Sequence, residues 1–168
     1  MKKVLKPIIV VVLFIGAISA IVLMQAKKPH PQIVLTGNSD QKAIEIFPHA
    51  YQCSKCKMDI IDTKYGAQLA QSNGKTIFFD DIGCLALWLS EHPKLKSEKI
   101  WVYAQDTKRW IDAKSAHYST SEKTPMHYGF GAYEQKIEKS IDFDEVVNRM
   151  KDGRHMANPE YAKKIREN

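Results

Sequence analysis

The sequence is short of cysteine and, beyond its first 28 residues, short of net charge. Only three cysteines occur in 168 residues, so they cannot all pair within one chain and at least one thiol stays free. Five of the six net positive charges are lysines within residues 1–28, which leaves a net charge of +1 on the rest. Nucleic-acid binding requires clustered, uncompensated lysine and arginine. The low net charge therefore excludes a nucleic-acid partner.

Several other signatures are missing. The chain has no repeat of fixed period, no defensible Ser/His/Asp order and no glycine-rich phosphate loop. We therefore expect no catalytic centre, and the prediction is that the protein is not an enzyme. Apolar residues at 44% and charged residues at 26% are typical of a globular chain, and the length suits one domain.

The longest uncharged run is Ile8 to Met24, seventeen residues preceded by three lysines and followed by two. As a helix it would be roughly 25 Å long, near the lower limit for crossing a bilayer. The sequence therefore predicts that residues 1–27 are an uncleaved transmembrane helix, with a cleaved signal peptide as the alternative. Either one places the remainder outside the cytoplasm.

The rest of the chain divides into a linker (28–49), a domain (50–150) and a polar, basic tail (151–168). Residues 43–47 alternate weakly and predict a short strand, and Ser72-Asn-Gly predicts a hairpin turn. Ile82, Leu85, Ala86 and Leu89 recur at helical spacing after a capping Asp80 or Asp81. Strands are predicted over 100–104 and 109–112 and a final helix over 143–150. The fold class is α+β with a largely antiparallel sheet.

The most specific motif is Cys53-Ser-Lys-Cys56-Lys-Met58. Two thiolates three residues apart can converge on one ion, and a thioether follows two residues later. Thiolate with thioether is the donor set that Cu(I) selects, whereas a thioether is a poor ligand for Zn(II). A plain disulfide between Cys53 and Cys56 is the alternative.

Three further residues are candidate metal ligands with structural alternatives. Cys84, in the first turn of the predicted helix, is a third thiol or a small core residue. Met126 and His127 are adjacent candidates for a thioether and an imidazole ligand. The alternatives are that Met126 packs in the core and that His127 is exposed or hydrogen-bonded. His155-Met156 in the tail is a weaker auxiliary pair.

The ordered set of motifs resembles the NosL family, copper-binding accessory proteins of nitrous oxide reductase. The resemblance covers roughly residues 50–150. It is carried by the Cys-x-x-Cys-x-Met element, the Gly66-Ala-Gln hairpin, Ile77-Phe-Phe before a short helix, and several later segments. These later segments are Trp101-Val-Tyr, Trp110-Ile-Asp-Ala-Lys-Ser-Ala-His-Tyr, Met126-His127-Tyr-Gly-Phe-Gly-Ala-Tyr-Glu and the closing helix at Phe143.

The resemblance implies a Cu(I) chaperone built from two related β-β-α-β halves. The domain would be extracytoplasmic, and the apolar run of this chain would tether it to the inner (cytoplasmic) membrane with the domain in the periplasm. A copper donor would load it, and nitrous oxide reductase would be the copper acceptor. The implied ligands are Cys53, Cys56, Met58 and Met126, followed by His127 and Cys84. Many relatives have glycine where this chain has Lys57, and many carry an N-terminal lipid-bearing cysteine in place of the apolar run.

Two other functions stay open from the residues. In a structural zinc module, Cys53, Cys56, Cys84 and a histidine would hold Zn(II), and Met58→Leu would leave metal affinity unchanged. A copper site should lose Cu(I) affinity on the same change. In a thiol oxidoreductase, Cys53 and Cys56 would form a reversible disulfide and need no metal.

Overall fold

The computed structural model describes residues 2–26 and 31–167. The chain forms two compact units, and the boundary between them lies after residue 30. The first unit contains the helix α1, Lys2–Ala26. Across the described residues, no helix combines the length and apolar character that crossing a membrane requires. The structure thus does not support the predicted transmembrane helix.

The second unit is built on a five-stranded sheet in which every neighbouring pair is antiparallel, in the order β1-β3-β2-β4-β5. This confirms the α+β class with an antiparallel sheet. The strands of this sheet are Val34–Leu35 (β1), Ala67–Ala70 (β2), Thr76–Phe79 (β3), Lys99–Tyr103 (β4) and Trp110–Asp112 (β5).

The central hairpin forms as predicted. β2 and β3 pair in the register Ala67 with Phe79, and Gly74 takes the positive φ of +80° that the turn between them requires. All residues of both strands are buried, so the hairpin is covered on both faces. One face belongs to the main core, and the other carries Phe78 against Ile46 and Ile60.

The helix α2, Ile82–Glu91, follows β3 directly and packs on the main core. Asp81 is its N-cap, because the carboxylate accepts from the Gly83 amide at 2.8 Å. The helix ends at His92, and a short 3₁₀ turn over Pro93–Ser97 leads to β4. The predicted helix, its capping by one of the two aspartates and its stop before proline are therefore confirmed.

The second half of the unit is smaller. β6 (His117–Ser119) and β7 (Gly131–Tyr133) form a two-stranded antiparallel sheet, and α3 (Phe143–Lys151) follows. The first half, β2-β3-α2-β4, has the β-β-α-β order. In the second half, the described chain continues from α3 to the helix α4, Pro159–Arg166, rather than to a strand. The expectation of two complete β-β-α-β halves is therefore correct only for the first.

One local prediction is wrong. Residues 43–47 form no strand, because the side chain of Gln68 takes the backbone bonds that a neighbouring strand would need. The Ile44 amide donates to Gln68 Oε1 at 2.8 Å, and Gln68 Nε2 donates to the Ile44 carbonyl at 2.6 Å. The polar tail also contains a helix, α4, whose N-cap is Asn158.

Candidate metal centre

The segment Cys53–Met58, which we call the cysteine loop, is a tight turn held by backbone bonds. The Cys53 amide donates to the Met58 carbonyl at 2.8 Å, and the Lys57 amide donates to the Cys53 carbonyl at 3.0 Å. The Ser54 amide donates to the Phe78 carbonyl at 2.8 Å, which attaches the loop to β3. The turn closes through Lys57 at φ +66°, a conformation that glycine adopts without steric cost. This explains why glycine suits the position between the second cysteine and the methionine.

The start of α2 delivers two more donor groups. Asp80 and Asp81 leave the end of β3, and Cys84 follows in the first helical turn. Asp81 turns inward to cap the helix, so it is not available to an ion on the other side. Asp80 points toward the cysteine loop, and its Oδ1 accepts a hydrogen bond from the Cys56 thiol at 3.3 Å.

The two segments meet in one cluster. One ligand atom each from Cys53, Cys56, Asp80 and Cys84 lies within 4.8 Å of every other. Cys53, Asp80 and Cys84 are buried and Cys56 is half-buried, so the cluster is closed to solvent except near Cys56. All three cysteines are free thiols, and the disulfide alternative for Cys53 and Cys56 is not formed. Three sulfurs and one carboxylate at this spacing can surround a single metal ion.

The three cysteine thiols differ in the direction of their pKa shifts. The Cys84 thiol donates to Cys53, which raises the pKa of Cys84, and burial raises it further. The same hydrogen bond lowers the pKa of Cys53. Burial raises the pKa of Cys56 to about 12. Because metals bind thiolates, an incoming ion must displace protons from Cys56 and Cys84.

Residues 124–129, which we call the methionine loop, lie against the start of α2. The Met126 amide donates to Asp81 Oδ2 at 3.0 Å, and the Thr124 hydroxyl donates to the same carboxylate. Burial raises the pKa of Asp81, and these hydrogen bonds oppose the rise. Gly83 packs directly on Tyr128, because a Cβ there would lie 2.6 Å from Tyr128 Cγ. Asp81 thus joins the helix that carries Cys84 to the loop that carries Met126.

The structure divides the predicted ligands into three groups. Cys53, Cys56 and Cys84 come together in the cluster. Met58 is 45% exposed on the wall of an adjoining cavity, and Met126 is half-buried against the main core. His127 is exposed and faces a different surface cavity. As resident ligands, the last three remain predictions.

Asp80 is the donor that sequence reasoning missed. The adjacent aspartates were assigned to helix capping, which Asp81 alone performs. The available signal was position, since Asp80 precedes Cys84 by four residues and directly follows a buried strand. The tail pair His155-Met156 lies beside the methionine loop: the Met156 amide donates to the Tyr128 carbonyl at 3.2 Å. The His155 and Tyr128 rings meet edge to face, with centroids 5.1 Å apart.

No family model and no curated protein matches this chain. Among solved structures, it is similar to the crystal structure of the copper chaperone NosL from Shewanella denitrificans. The similarity has a TM-score of 0.48 and 16% sequence identity, and it covers 65% of this chain and 87% of that one.

Proposed function

We propose that this protein is a copper chaperone that carries Cu(I) as cargo and hands it to an acceptor protein. The observation that carries the proposal is the convergence of Cys53, Cys56 and Cys84, with Asp80, within 4.8 Å. Three thiolates are soft donors, the class that Cu(I) prefers. The half-buried Cys56 leaves one side of the cluster open to an exchanging ligand. The sequence resemblance to the NosL family supports the same cargo.

The donor set also suits a second function, a structural zinc site. Three cysteines and one carboxylate complete the four-coordinate shell that Zn(II) requires. In that case the metal would stabilise an interaction domain and would not be transferred. The thiol-oxidoreductase alternative has less support, because Cys53 and Cys56 lie on a closed loop rather than at the start of a helix.

The decisive experiment is metal competition on the full-length chain, reduced and handled anaerobically. Cu(I) would be partitioned between the protein and a colorimetric Cu(I) chelator, with Zn(II) titrated in parallel. We expect one tightly held Cu(I) and a loss of at least about tenfold in affinity on Cys53→Ser or Cys84→Ser. Unperturbed Cu(I) binding in both variants would contradict the proposal.

Asp80→Asn separates copper from zinc. A low-coordinate Cu(I) site formed by thiolates should keep its affinity, because the ion has little use for a hard oxygen donor. A four-coordinate Zn(II) site should lose about tenfold or more when its only carboxylate becomes an amide. Asp142→Asn, which changes the N-cap of α3, is the matched control. Tight Zn(II) that depends on Asp80, together with weak Cu(I), would favour the structural zinc site.

The location and the partners belong to the same proposal. The uncharged run from Ile8 to Met24 supports export of the domain to the periplasm, as an anchored or a processed protein. Nitrous oxide reductase is the acceptor that the family resemblance suggests, and a separate protein would supply the copper. Cell fractionation with N-terminal sequencing tests the location. Incubation of the loaded chain with copper-free reductase tests the acceptor.

A further inference from the structure

The thiol cluster is accessible from one direction. Cys53 and Cys84 have 0% exposed surface and Asp80 has 4%, so an ion cannot reach these three directly from bulk water. Cys56 is half-buried and hydrogen-bonds Asp80. The approach must therefore run along the side of the cluster that Cys56 and Asp80 form.

A cavity of about 480 Å³ opens on that side. We call it the access cavity, and its walls include His49, Met58, Asp59, Ile61, Asp62 and Asp80. Asp80 belongs both to this wall and to the cluster. The access cavity therefore reaches the cluster from the surface at Asp80.

Met58 is placed to meet an ion on this route. Its carbonyl is fixed by the Cys53 amide at 2.8 Å, while its side chain is 45% exposed on the cavity wall. The backbone is thus anchored next to the first cysteine, and the thioether is free to change rotamer. A thioether is a soft, neutral donor that binds Cu(I) without losing a proton.

The charge of the walls favours a cation. Asp59, Asp62 and Asp80 contribute three carboxylates to a wall whose exposed surface is mainly apolar. Two basic groups lie close to them: His49, whose Nδ1 is 3.6 Å from Asp59 Oδ2, and Lys64, whose charge interacts with Asp62. Carboxylates in a concave site with low-dielectric walls raise the local concentration of a cation and its association rate. Ile61 and Pro125 make up apolar parts of the same wall.

We propose that the access cavity is the route by which the metal enters and leaves, and that Met58 is a transient donor on that route rather than a resident ligand. The thioether takes the ion from its carrier, one Cu–S bond replacing another. A cluster thiolate then displaces the thioether, and the thiol proton passes to solvent. Copper stays Cu(I) throughout, and release is the reverse. This inference rests on the proposed function and specifies how the cargo is exchanged.

The test measures rates and equilibrium separately on the full-length chain. Stopped-flow mixing with Cu(I) held by a weak chelator gives the loading rate, and mixing the loaded chain with a strong chelator gives the release rate. For Met58→Leu we expect both rates to fall by about tenfold while their ratio, the affinity, stays unchanged within error, in contrast to the loss of Cu(I) affinity that the sequence predicts for Met58 as a resident ligand. Met24→Leu is the matched control, since Met24 is also exposed and is not part of the cavity wall.

A second variant tests the charge of the walls. Asp59→Asn combined with Asp62→Asn should slow loading by about tenfold at low salt and reduce its dependence on ionic strength. The inference is overturned if Met58→Leu weakens affinity with an unchanged loading rate, because Met58 is then a resident ligand. It is also overturned if Met58→Leu changes neither rate. Failure of the wild-type chain to bind Cu(I) would instead refute the proposed function.

Discussion

The cysteine loop and the methionine loop both face the start of α2, but they are held there by different means. The cysteine loop is attached to β3 by a backbone bond, from the Ser54 amide to the Phe78 carbonyl. The methionine loop is attached to α2 through one side chain, because the Met126 amide donates to the Asp81 carboxylate, while its other end accepts backbone bonds from the Glu122 and Met156 amides. Each loop turns at a non-glycine residue with positive φ, Lys57 at +66° and His127 at +56°. Similar local turns thus depend on different anchors.

The difference shows which loop a point mutation can release. Backbone bonds survive almost any side-chain change, so the position of Cys53 and Cys56 is set by the hairpin beneath them. The position of Met126 depends on one buried carboxylate and on the absence of a side chain at Gly83. Substitutions near Asp81 should therefore move the methionine loop and leave the cysteine loop in place.

Asp81→Asn should have the largest effect of these substitutions. The amide can still cap α2 through its oxygen, but the group facing Met126 can no longer serve as a charged acceptor. Loss of a charge-assisted bond to a buried group predicts a decrease of about 2 kcal/mol in the free energy of unfolding. Urea denaturation measures the decrease. Hydrogen exchange at the Met126 amide should accelerate, with the Ser54 amide unchanged.

Asp142→Asn is the matched control for this prediction. Asp142 caps α3 by accepting from the Glu145 amide at 2.8 Å, as Asp81 caps α2. Its replacement should cost at most about 0.5 kcal/mol, because asparagine caps a helix about as well as aspartate, and should leave exchange at Met126 unaffected. Equal acceleration at the Met126 and Ser54 amides in Asp81→Asn would show that the two loops are not held independently.

Gly83→Ala should have a smaller effect on the same loop. The added methyl group would lie 2.6 Å from Tyr128 Cγ and 2.7 Å from its Cβ, so the loop must shift. Overpacking of this kind costs about 1–3 kcal/mol, and the higher helix propensity of alanine offsets part of it. We expect a net loss of about 1 kcal/mol by thermal or urea unfolding. In a Tyr128→Ala background the loss should shrink, since the ring atoms are gone, and an unchanged loss would contradict the contact.

A contrast between local signals and contacts from distant residues also explains which elements could be predicted from the sequence. The hairpin and α2 depend on local signals, an Asn-Gly turn and apolar residues such as Ile82 and Leu85 at helical spacing, and both are confirmed. The strand predicted over residues 43–47 does not form, because the side chain of Gln68 on β2 makes the hydrogen bonds to Ile44 that a neighbouring strand would otherwise make. No local pattern contains that information.

The metal cluster was predictable in its cysteines but not in its fourth member. Cys53 and Cys56 are marked by their spacing, while Cys84 joins them only because α2 follows β3, the strand to which the cysteine loop is attached. Two adjacent aspartates are equivalent in sequence, and the direction in which the chain leaves β3 decides which one caps the helix. Asp81 turns to the helix, and Asp80 is left facing the thiols.

The smallest effect concerns the base of the methionine loop, where the Glu122 amide donates to the Gly129 carbonyl at 2.9 Å. Burial alone would raise the pKa of Glu122, but hydrogen bonds from Tyr133, Ser119 and Tyr65 outweigh it and lower the pKa below the ordinary 4.5. Because the pKa of this carboxyl is lower in the folded chain, the unfolded chain binds more protons at acid pH than the folded chain does. The stabilisation is therefore complete above about pH 4.5 and is lost as the pH falls through the folded-state value.

Glu122→Gln isolates this contribution. At pH 7 the variant should be less stable than the wild type by about 0.5–1 kcal/mol, because the site is partly solvent-exposed and the charge is screened. Once the pH is below the lowered folded-state pKa of Glu122, the two proteins should unfold at nearly the same urea concentration, since the wild-type carboxyl is then protonated too. Glu138→Gln removes the same charge from an exposed position and should change little at either pH. A wild-type advantage that persists at low pH would mean that the hydrogen bonds stabilise the loop without the charge. The anchoring of the methionine loop would then be a matter of geometry at its base, as it already is for the cysteine loop.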